Sequence, residues 1–532
     1  MNERINNNIN RSVEREARRR RLPGLIMTGL LLLAVALFLW RLWTLKLLPT
    51  LLFAALAFVL LLFVLLVCVL SRDAGRRGRF VFALLLTLLI GAVSGAGFYA
   101  GTRFSDTIRA MFRPDSTETV IMQVYVRADD PAQSLSDLKD ETLGILTRID
   151  RRATDEMLEK LAKELGPAPT IAEYDSPVQL LHALAEGQVR AILINEHYLT
   201  LLEEGSEAAN VRSLHAQAVV IAVTTAAPPE TKDQDPTLPP DDPARPSGQD
   251  PEESGAQPAE PGYSDDERLT AKGSCFIVYI SGIDSREGLV SRSRSDVNIL
   301  AAVNPDTRQV VLISTPRDCA VLTSVSGDQP DTLTYTGNYG IDVSCDALER
   351  LYNLHIDYWF RVDFSGFVRI IDVLGGIDIN SDKSFSTDGG YYFRQGVNHV
   401  DGAAALSFAR ERHAFGGSDA LRGPHQMEVI RATLKKAASS QILSSWDQLL
   451  SAVSDCFEMT VPYDIIASVV RRQLTQSGEW NIVSCALDGS YDIRSIFSLY
   501  SPNYMFLPED ASIRTARLLI WRLLEGREVS AP

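Results

Sequence analysis

The chain has 532 residues, a formal net charge of −15, 46% hydrophobic residues and six cysteines. That length exceeds what one hydrophobic core serves, so two or more folded units are expected. The acidic balance argues against a nucleic-acid binder, and the absence of a CxxC or His-rich spacing argues against a zinc site.

Hydrophobicity is concentrated before residue 102. Three uncharged apolar runs, Leu22–Trp40, Leu47–Leu70 and Phe80–Tyr99, approach or exceed the roughly 20 residues that a helix needs to cross the hydrocarbon core. Arg18, Arg19, Arg20 and Arg21 precede the first run, and Arg72, Arg76, Arg77 and Arg79 lie between the second and third. The positive-inside rule puts both clusters in the cytoplasm, against a weaker opposing signal from Arg41 and Lys46. Three spans (22–102) behind a basic cytoplasmic tail (1–21) then leave everything after Arg103 outside the membrane. The alternative for the first run, a cleaved signal peptide, lacks its small-residue cleavage site.

Next comes a small α/β unit, 119–226. Thr119–Val126, Leu143–Ile149, Ile171–Tyr174, Ala191–Asn195 and Val219–Val223 read as strands, and Thr154–Leu165 and Pro177–Ala185 as helices. The wording SLSDLKDETLGIL and YDSPVQLLHALAEGQVRAILINEHY resembles one lobe of the extracellular solute-binding proteins. A single lobe cannot form their two-lobed clamp, so a docking or spacer module, with an envelope protein as partner, is expected over a ligand sensor. From Pro228 to Asp266 the chain is rich in Pro, Asp and Glu without apolar periodicity, which reads as a disordered tether (227–268).

The last unit, 269–532, centres on SGIDSREGLVSRSRSDVNILAAVNPDTRQVVLISTPRD, Ser281–Asp318. Val297–Val303 and Val310–Ser314 flank Asn304-Pro305-Asp306-Thr307, a tetrapeptide whose proline presets a turn, so an antiparallel hairpin is expected. It sets Asp296 opposite Pro316 and Arg317. The preceding strand, Phe276–Ile280, ends at Gly282 and delivers Asp284 and Arg286 at its carboxyl end, where open α/β sheets place ligands. Asp284, Arg286, Arg294, Asp296, Arg317 and Asp318 are thus expected at one sheet edge. Any one Asp/Arg pair is more simply a solvated ion pair; six such residues on three apolar strand ends favour a site.

Beyond it the sequence predicts a glycine-bearing loop (DTLTYTGNYGIDVSC), helix Asp346–Leu354, strand Tyr358–Asp363, helix Ser365–Leu374 and strand Ile377–Ile379. Val397–Ala409 is read as extended, which points Leu406, Phe408, Arg410 and Arg412 the same way. Asp419, Arg422 and Gln426 share one helical face if a helix begins near Asp419; because proline belongs in a first turn, the alternative is a helix that begins at Pro424 with Asp419 and Arg422 on the loop. Either arrangement gathers polar groups at a helix amino end, which favours anions. Helix Pro462–Gln473, strand Trp480–Ser484 and helix Ala511–Leu524 close the chain. Cys319 with Cys345, and Cys456 with Cys485, are possible disulfides that leave Cys275 over; buried free thiols are the alternative.

The blocks GIDSR, RSRSD, NPDTRQVVLISTPRD, DVLGGIDI and ALSFARERHAFGGSDALRGPHQM, in this order, resemble the LytR-CpsA-Psr (LCP) family of membrane-anchored phosphotransferases. The resemblance implies a membrane-anchored α/β protein whose catalytic domain is an α/β/α sandwich with a mixed central sheet. It also implies an apolar pocket for a polyprenyl chain and a polar mouth for its pyrophosphate. By matching positions, Asp284 and Asp296 would hold Mg²⁺; Arg294, Arg317, Arg410, Arg412, Arg422 and Gln426 would contact the pyrophosphate; Asp419 would be the base. The implied reaction moves a secondary cell-wall polymer, teichoic acid or capsule-like, onto a peptidoglycan hydroxyl. A polyprenyl-pyrophosphate hydrolase and a membrane-anchored regulator or glycan-binding protein are the rivals. Thr332, Tyr335 and Pro424 depart from the family pattern, where Lys, His and a polar residue are frequent.

Overall fold

The computed structural model describes residues 2–45, 50–71, 77–111, 115–165, 169–198, 211–224, 261–283, 292–411, 422–439, 453, 456–475, 478–499 and 502–531. Three helices come first, α1 (Asn2–Leu45), α2 (Thr50–Ser71) and α3 (Arg77–Met111). Within them Leu22–Thr44, Thr50–Ser71 and Gly78–Arg103 are long and apolar enough to cross a membrane. Met27, Leu31 and Val35 pack with Val64, Val67, Ala83 and Ile90. Leu51, Phe58, Leu85, Leu89 and many neighbours stay exposed, which an aqueous surface would not tolerate and lipid does.

The small α/β lobe comprises β1 (Asp115–Arg127), β2 (Thr142–Leu146), α4 (Arg151–Leu165), β3 (Thr170–Tyr174), α5 (Pro177–Ala185), β4 (Ala191–Asn195) and β5 (Val211–Thr224). Its sheet runs β3-β2-β4-β1-β5, with β2 parallel to β3 and β4 and β1 antiparallel to β4 and β5. Helix α5 starts where it does because the Ser176 hydroxyl accepts the Gln179 N–H and Pro177 needs no partner in the first turn. Met157 and Leu161 of α4 cover one sheet face. Leu180 and Leu184 of α5 cover the other, in a cluster that also takes in Phe497, Val325 and Tyr339 from the last unit. The lobe's core is therefore completed by its neighbour.

That neighbour is built on β6 (Phe276–Ile283), β7 (Ser295–Asn304) and β8 (Gln309–Ser314), the expected hairpin with its preceding strand. Then follow β9 (Ala320–Val321), β10 (Asp331–Thr332), α6 (Leu333–Thr336), α7 (Ile341–Tyr352), β11 (Tyr358–Asp363), α8 (Phe364–Val373), β12 (Ile377–Ser381), β13 (Phe385–Ser386), β14 (Tyr392–Phe393), β15 (Gly396–Val400), α9 (Gly402–Arg410), α10 (Arg422–Ala437), β16 (Phe457–Met459), α11 (Tyr463–Thr475), β17 (Asn481–Ala486), β18 (Gly489–Arg494), β19 (Asn503–Pro508) and α12 (Asp510–Leu524). The central sheet runs β16-β11-β6-β7-β8-β17 and is mixed: β11/β6 and β8/β17 are parallel, the other pairs antiparallel. Alternate side chains of these apolar strands face opposite ways. Ile277, Tyr279, Leu300, Ala302, Val311 and Ile313 pack under α7 and α12. Phe276, Val278, Ala301, Val303, Val310 and Leu312 turn to the face carrying α10 and α11. The result is a three-layer α/β/α arrangement.

The structure corrects three expectations. Val397–Ala409 is not one extended run: strand β15 ends at Val400, Asp401 caps α9 by accepting the Ala404 N–H at 2.8 Å, and the alanine-rich segment that follows is helical. The Cys456–Cys485 pairing does not form, and all six thiols are free. Cys456 adjoins β16 and Cys485 lies in β17, opposite edges of a six-stranded sheet and so roughly 24 Å apart at about 4.8 Å per strand, far beyond disulfide reach. Cys319 and Cys345 likewise remain thiols in the α7 side of the core. Finally, the end of the stretch read as a tether is ordered: the buried Arg517 reaches the Tyr263 hydroxyl and the carbonyls of Ser264 and Glu267, and the Tyr263 ring meets Trp521.

Asp331 is buried beside the lobe, accepting from the Ser498 hydroxyl and the Thr332 N–H. Burial pushes its carboxyl from 3.8 up to about 7, the two hydrogen bonds holding it back only in part. A group raised in this way contributes stability that is full below its unfolded pKa and is lost as pH rises through about 7. Asp331→Asn is therefore expected to flatten the fall in unfolding temperature between about pH 4 and pH 7.5 and to stabilise the protein at the alkaline end by on the order of a few kcal/mol, read by thermal unfolding across pH.

Candidate functional site

The second face of the central sheet is only partly filled. A cavity of about 550 Å³ lies between it and the helices α8–α11, lined by Val278, Ala301, Val310, Phe367, Leu406, Ile430, Val470 and other apolar side chains. Among its few polar lining groups are Arg410, Gln426 and Asp363. Leu406, Ala409 and Arg410 reach it together because three and four residues on a helix share a face, whereas Phe408 turns away into a separate core with Phe385 and Phe393. The helix thus does what the expected strand was to do, with a different set of residues. The Arg410 guanidinium lies 4.7 Å from the centre of the Phe364 ring, a cation–π contact that aims an exposed charge along the cavity wall. The Asp363 carboxylate is committed to capping α8, accepting from Gly366 N–H and the Ser365 hydroxyl.

Next to the cavity the end of β6, the start of β7 and the segment after β8 meet. Gly282 of β6 faces Val297 of β7, and both line the cavity. A side chain at 282 would meet Val297 carbons at 2.8 Å. One residue further, Asp296 accepts from Arg317 Nη1 at 3.1 Å, and Arg317 Nε approaches Asp318 at 3.5 Å. Thr334 ties the same corner, donating its hydroxyl to Asp296 at 3.3 Å and its N–H to the Arg317 carbonyl at 2.7 Å. Arg294 is exposed beside them. Helix α10 starts at Arg422, and Gly423 lies so close to Ser314, the end of β8, that a Cβ there would stand 2.9 Å from its hydroxyl. The amino end of α10 therefore abuts the same edge, with Arg422 inside the helix and Pro424 in its first turn. Gln426, one turn on, is buried and lines the cavity.

Arg294, Asp296, Arg317 and Asp318 are thus at one edge, with Arg410 and Gln426 on the adjoining cavity wall. Asp284, Arg286, Arg412 and Asp419 lie outside the described residues. Thr334, Gly337 and Phe364 carried no sequence signal as site residues: each acts through a tertiary contact that local pattern does not encode. Among the described residues no group of three His, Cys, Asp or Glu is placed to hold a metal ion. Mg²⁺ does not require one, since it commonly takes one or two carboxylates and completes its shell with phosphate oxygens and water. Asp296, set among cations at an apolar rim, fits that kind of ligand.

Residues 250–512 match the model of the LytR_cpsA_psr family. The chain is 32% identical over 200 residues to polyisoprenyl-teichoic acid--peptidoglycan teichoic acid transferase TagU of Oceanobacillus iheyensis, covering 36% of this chain and 61% of that protein. It is 33% identical over 191 residues to the protein of the same name in Enterococcus faecalis, covering 36% and 62%. The chain thus spans about three fifths of the length of these relatives. The crystal structure of B. subtilis TagV superposes on 48% of this chain and 100% of that one, at 22% identity and a TM-score of 0.41.

Gly337 holds the rim from beneath. Its backbone carbonyl accepts the Ser293 N–H, and a Cβ at 337 would stand 2.3 Å from Ser293 O and 3.1 Å from Ser295 N. Backbone on both sides leaves no flexible neighbour to yield, so Gly337→Ala is expected to cost about 1–3 kcal/mol, read as a lower unfolding temperature of the purified protein.

Proposed function

We propose that the chain transfers a glycopolymer carried on polyprenyl pyrophosphate to a sugar hydroxyl of peptidoglycan. The acceptor oxygen forms a new P–O bond to the polymer-bearing phosphorus, the pyrophosphate bridge breaks, and polyprenyl phosphate leaves, giving a phosphodiester. The observation that carries this reading is a large apolar cavity running onto Arg410 and Gln426 beside a rim of arginines and carboxylates. Its walls are almost entirely apolar, so water gains little there and an apolar occupant gains much. A hydrocarbon chain suits such walls, and the arginines at the cavity's end suit the charged head of such a lipid. The names of the relatives, teichoic acid transferases, point to the same donor and acceptor classes.

Each residue then has a role that follows from its chemistry. Arg410, Arg412, Arg422, Arg294 and Arg317 grip phosphate oxygens with planar forks that stay protonated, and Gln426 adds a neutral donor from the cavity wall. Arg410 and Arg412 offset the charge that builds on the leaving phosphate. Asp284 and Asp296 would hold Mg²⁺, which when bound supplies further neutralisation of the two phosphates. Asp419 takes the proton of the acceptor hydroxyl. The apolar lining keeps water from competing as acceptor. With both basic clusters of the amino-terminal segment in the cytoplasm, this domain would face the cell wall, where its acceptor lies.

The test is transfer of label from a synthetic polyprenyl-pyrophosphate oligosaccharide to peptidoglycan fragments, by full-length protein in lipid nanodiscs. Label is expected on the glycan with Mg²⁺ and not after chelation. Arg410→Ala is expected to lower the rate by about 10³-fold with an unchanged unfolding temperature. Release of label to water at the same rate with and without glycan would make the protein a hydrolase instead, and near-normal transfer by Arg410→Ala would overturn the assignment of that arginine.

A further inference from the structure

The small lobe grips the proposed phosphate-binding edge through a buried arginine that belongs to the other unit. Arg292 Nη2 donates to Asp150 Oδ1 at 2.6 Å and Nη1 to Oδ2 at 3.1 Å, with both side chains at most 10% exposed. Nη1 also donates to the Tyr198 hydroxyl, and Asn195 Nδ2 donates to Asp150 Oδ2 at 3.0 Å. Asp150 takes a left-handed backbone conformation, φ 51°, which Asp tolerates better than most residues. The Tyr198 ring lies 5.8 Å from the Tyr339 ring, whose hydroxyl pairs with Ser498 and through it with Asp331.

Arg292 is two residues from Arg294 and four from Asp296. The segment that carries them is therefore held twice, from the lobe at Arg292 and from below at Ser293 and Ser295 by Gly337. Holding the two units together does not require the ion pair, because Phe497, Val325 and Tyr339 already pack into the lobe's apolar core. Burying two charges is also a poor source of stability, since desolvation offsets their attraction. What a bidentate fork adds is a fixed direction.

We propose that Asp150, with Tyr198, is a positioning device for transfer: by clamping Arg292 it fixes the Arg292–Asp296 segment, so that the lobe sets where Arg294 and Asp296 meet the donor's phosphates. The lobe is on this account an intramolecular partner of the active edge. The loop after β2, which supplies Asp150, and the segment after β4, which supplies Tyr198, are occupied by that arginine.

This rests on the transferase reading, so the experiment has an arm that needs no turnover. In full-length protein in nanodiscs, hydrogen–deuterium exchange at residues 292–296 and label transfer to peptidoglycan are measured for wild type, Asp150→Ala, Asp150→Glu and Tyr198→Phe, with donor-lipid affinity measured separately. Asp150→Ala is expected to raise exchange at 292–296 and to lower transfer at saturating donor by up to about 10²-fold, as misplacement by about 1 Å can do, with donor affinity within about twofold. Asp150→Glu should recover part of both, a rescue that loss of bulk folding would not give. If Asp150→Ala loosens the whole lobe, Tyr198→Phe, which removes one hydroxyl, decides the matter by the same pair of readouts. Unchanged exchange at 292–296, or raised exchange with wild-type transfer, overturns the positioning role. A wild-type protein that makes no labelled glycan overturns the transferase reading, while the exchange comparison still tests the clamp.

Discussion

Everything in the last unit depends on a sheet whose strands are apolar on both faces. Such strands must be covered twice, because neither face can be left to water. One covering is dense: α7 and α12 bury Leu348, Tyr352, Leu519 and Leu523 on it. The other arches, with α8 to α11 leaving some 550 Å³ of apolar space between them and β6, β7 and β8. A hollow of that size in so apolar a setting suits an equally apolar occupant, which is the basis of the proposed lipid donor.

The border is assembled by backbone constraints more than by ion pairs. Gly282, Gly337 and Gly423 each stand where a Cβ would meet Val297, the Ser293–Ser295 backbone or Ser314. These three close approaches bring β6 against β7, α6 and its following turn against the start of β7, and α10 against the end of β8. The Arg317–Asp296 pair is a consequence of that convergence, and as a partly exposed contact it contributes little stability of its own. Its value is that cations and a carboxylate are held near one another beside a dry wall, where charge interactions are stronger than in water.

The small lobe changes how this domain is to be understood. It shares a core cluster with the last unit through Phe497 and places a carboxylate on Arg292. Apolar contact of this kind limits the independent motion that chain-linked domains otherwise show by default. The ordered Pro261–Glu267 segment, pinned by Arg517, gives the second connection a fixed landing point on α12.

Much of this was legible in the residues. Periodicity located the three apolar helices, the strands and helix α5 of the small lobe, and β6, β7, β8, β11, β12 and β17 of the last unit, and the Asn304–Thr307 turn set the β7/β8 register that brings Asp296 to Arg317. These are local properties, carried by side-chain alternation and turn chemistry within a few residues. What failed were inferences that needed distance. The Gly402–Arg410 helix was misread because a short apolar run suits either period, and its capping by Asp401 outweighed the alternation. The cysteine pairing stayed open because order along the chain does not show that β16 and β17 are opposite edges. By itself the sequence determined which side chains end each strand and what chemistry they carry. Only the tertiary structure decided that one face of the sheet stays hollow, that Arg410 rather than Phe408 looks into it, and that an aspartate from the lobe holds Arg292, because each of these depends on contacts between segments far apart in the chain.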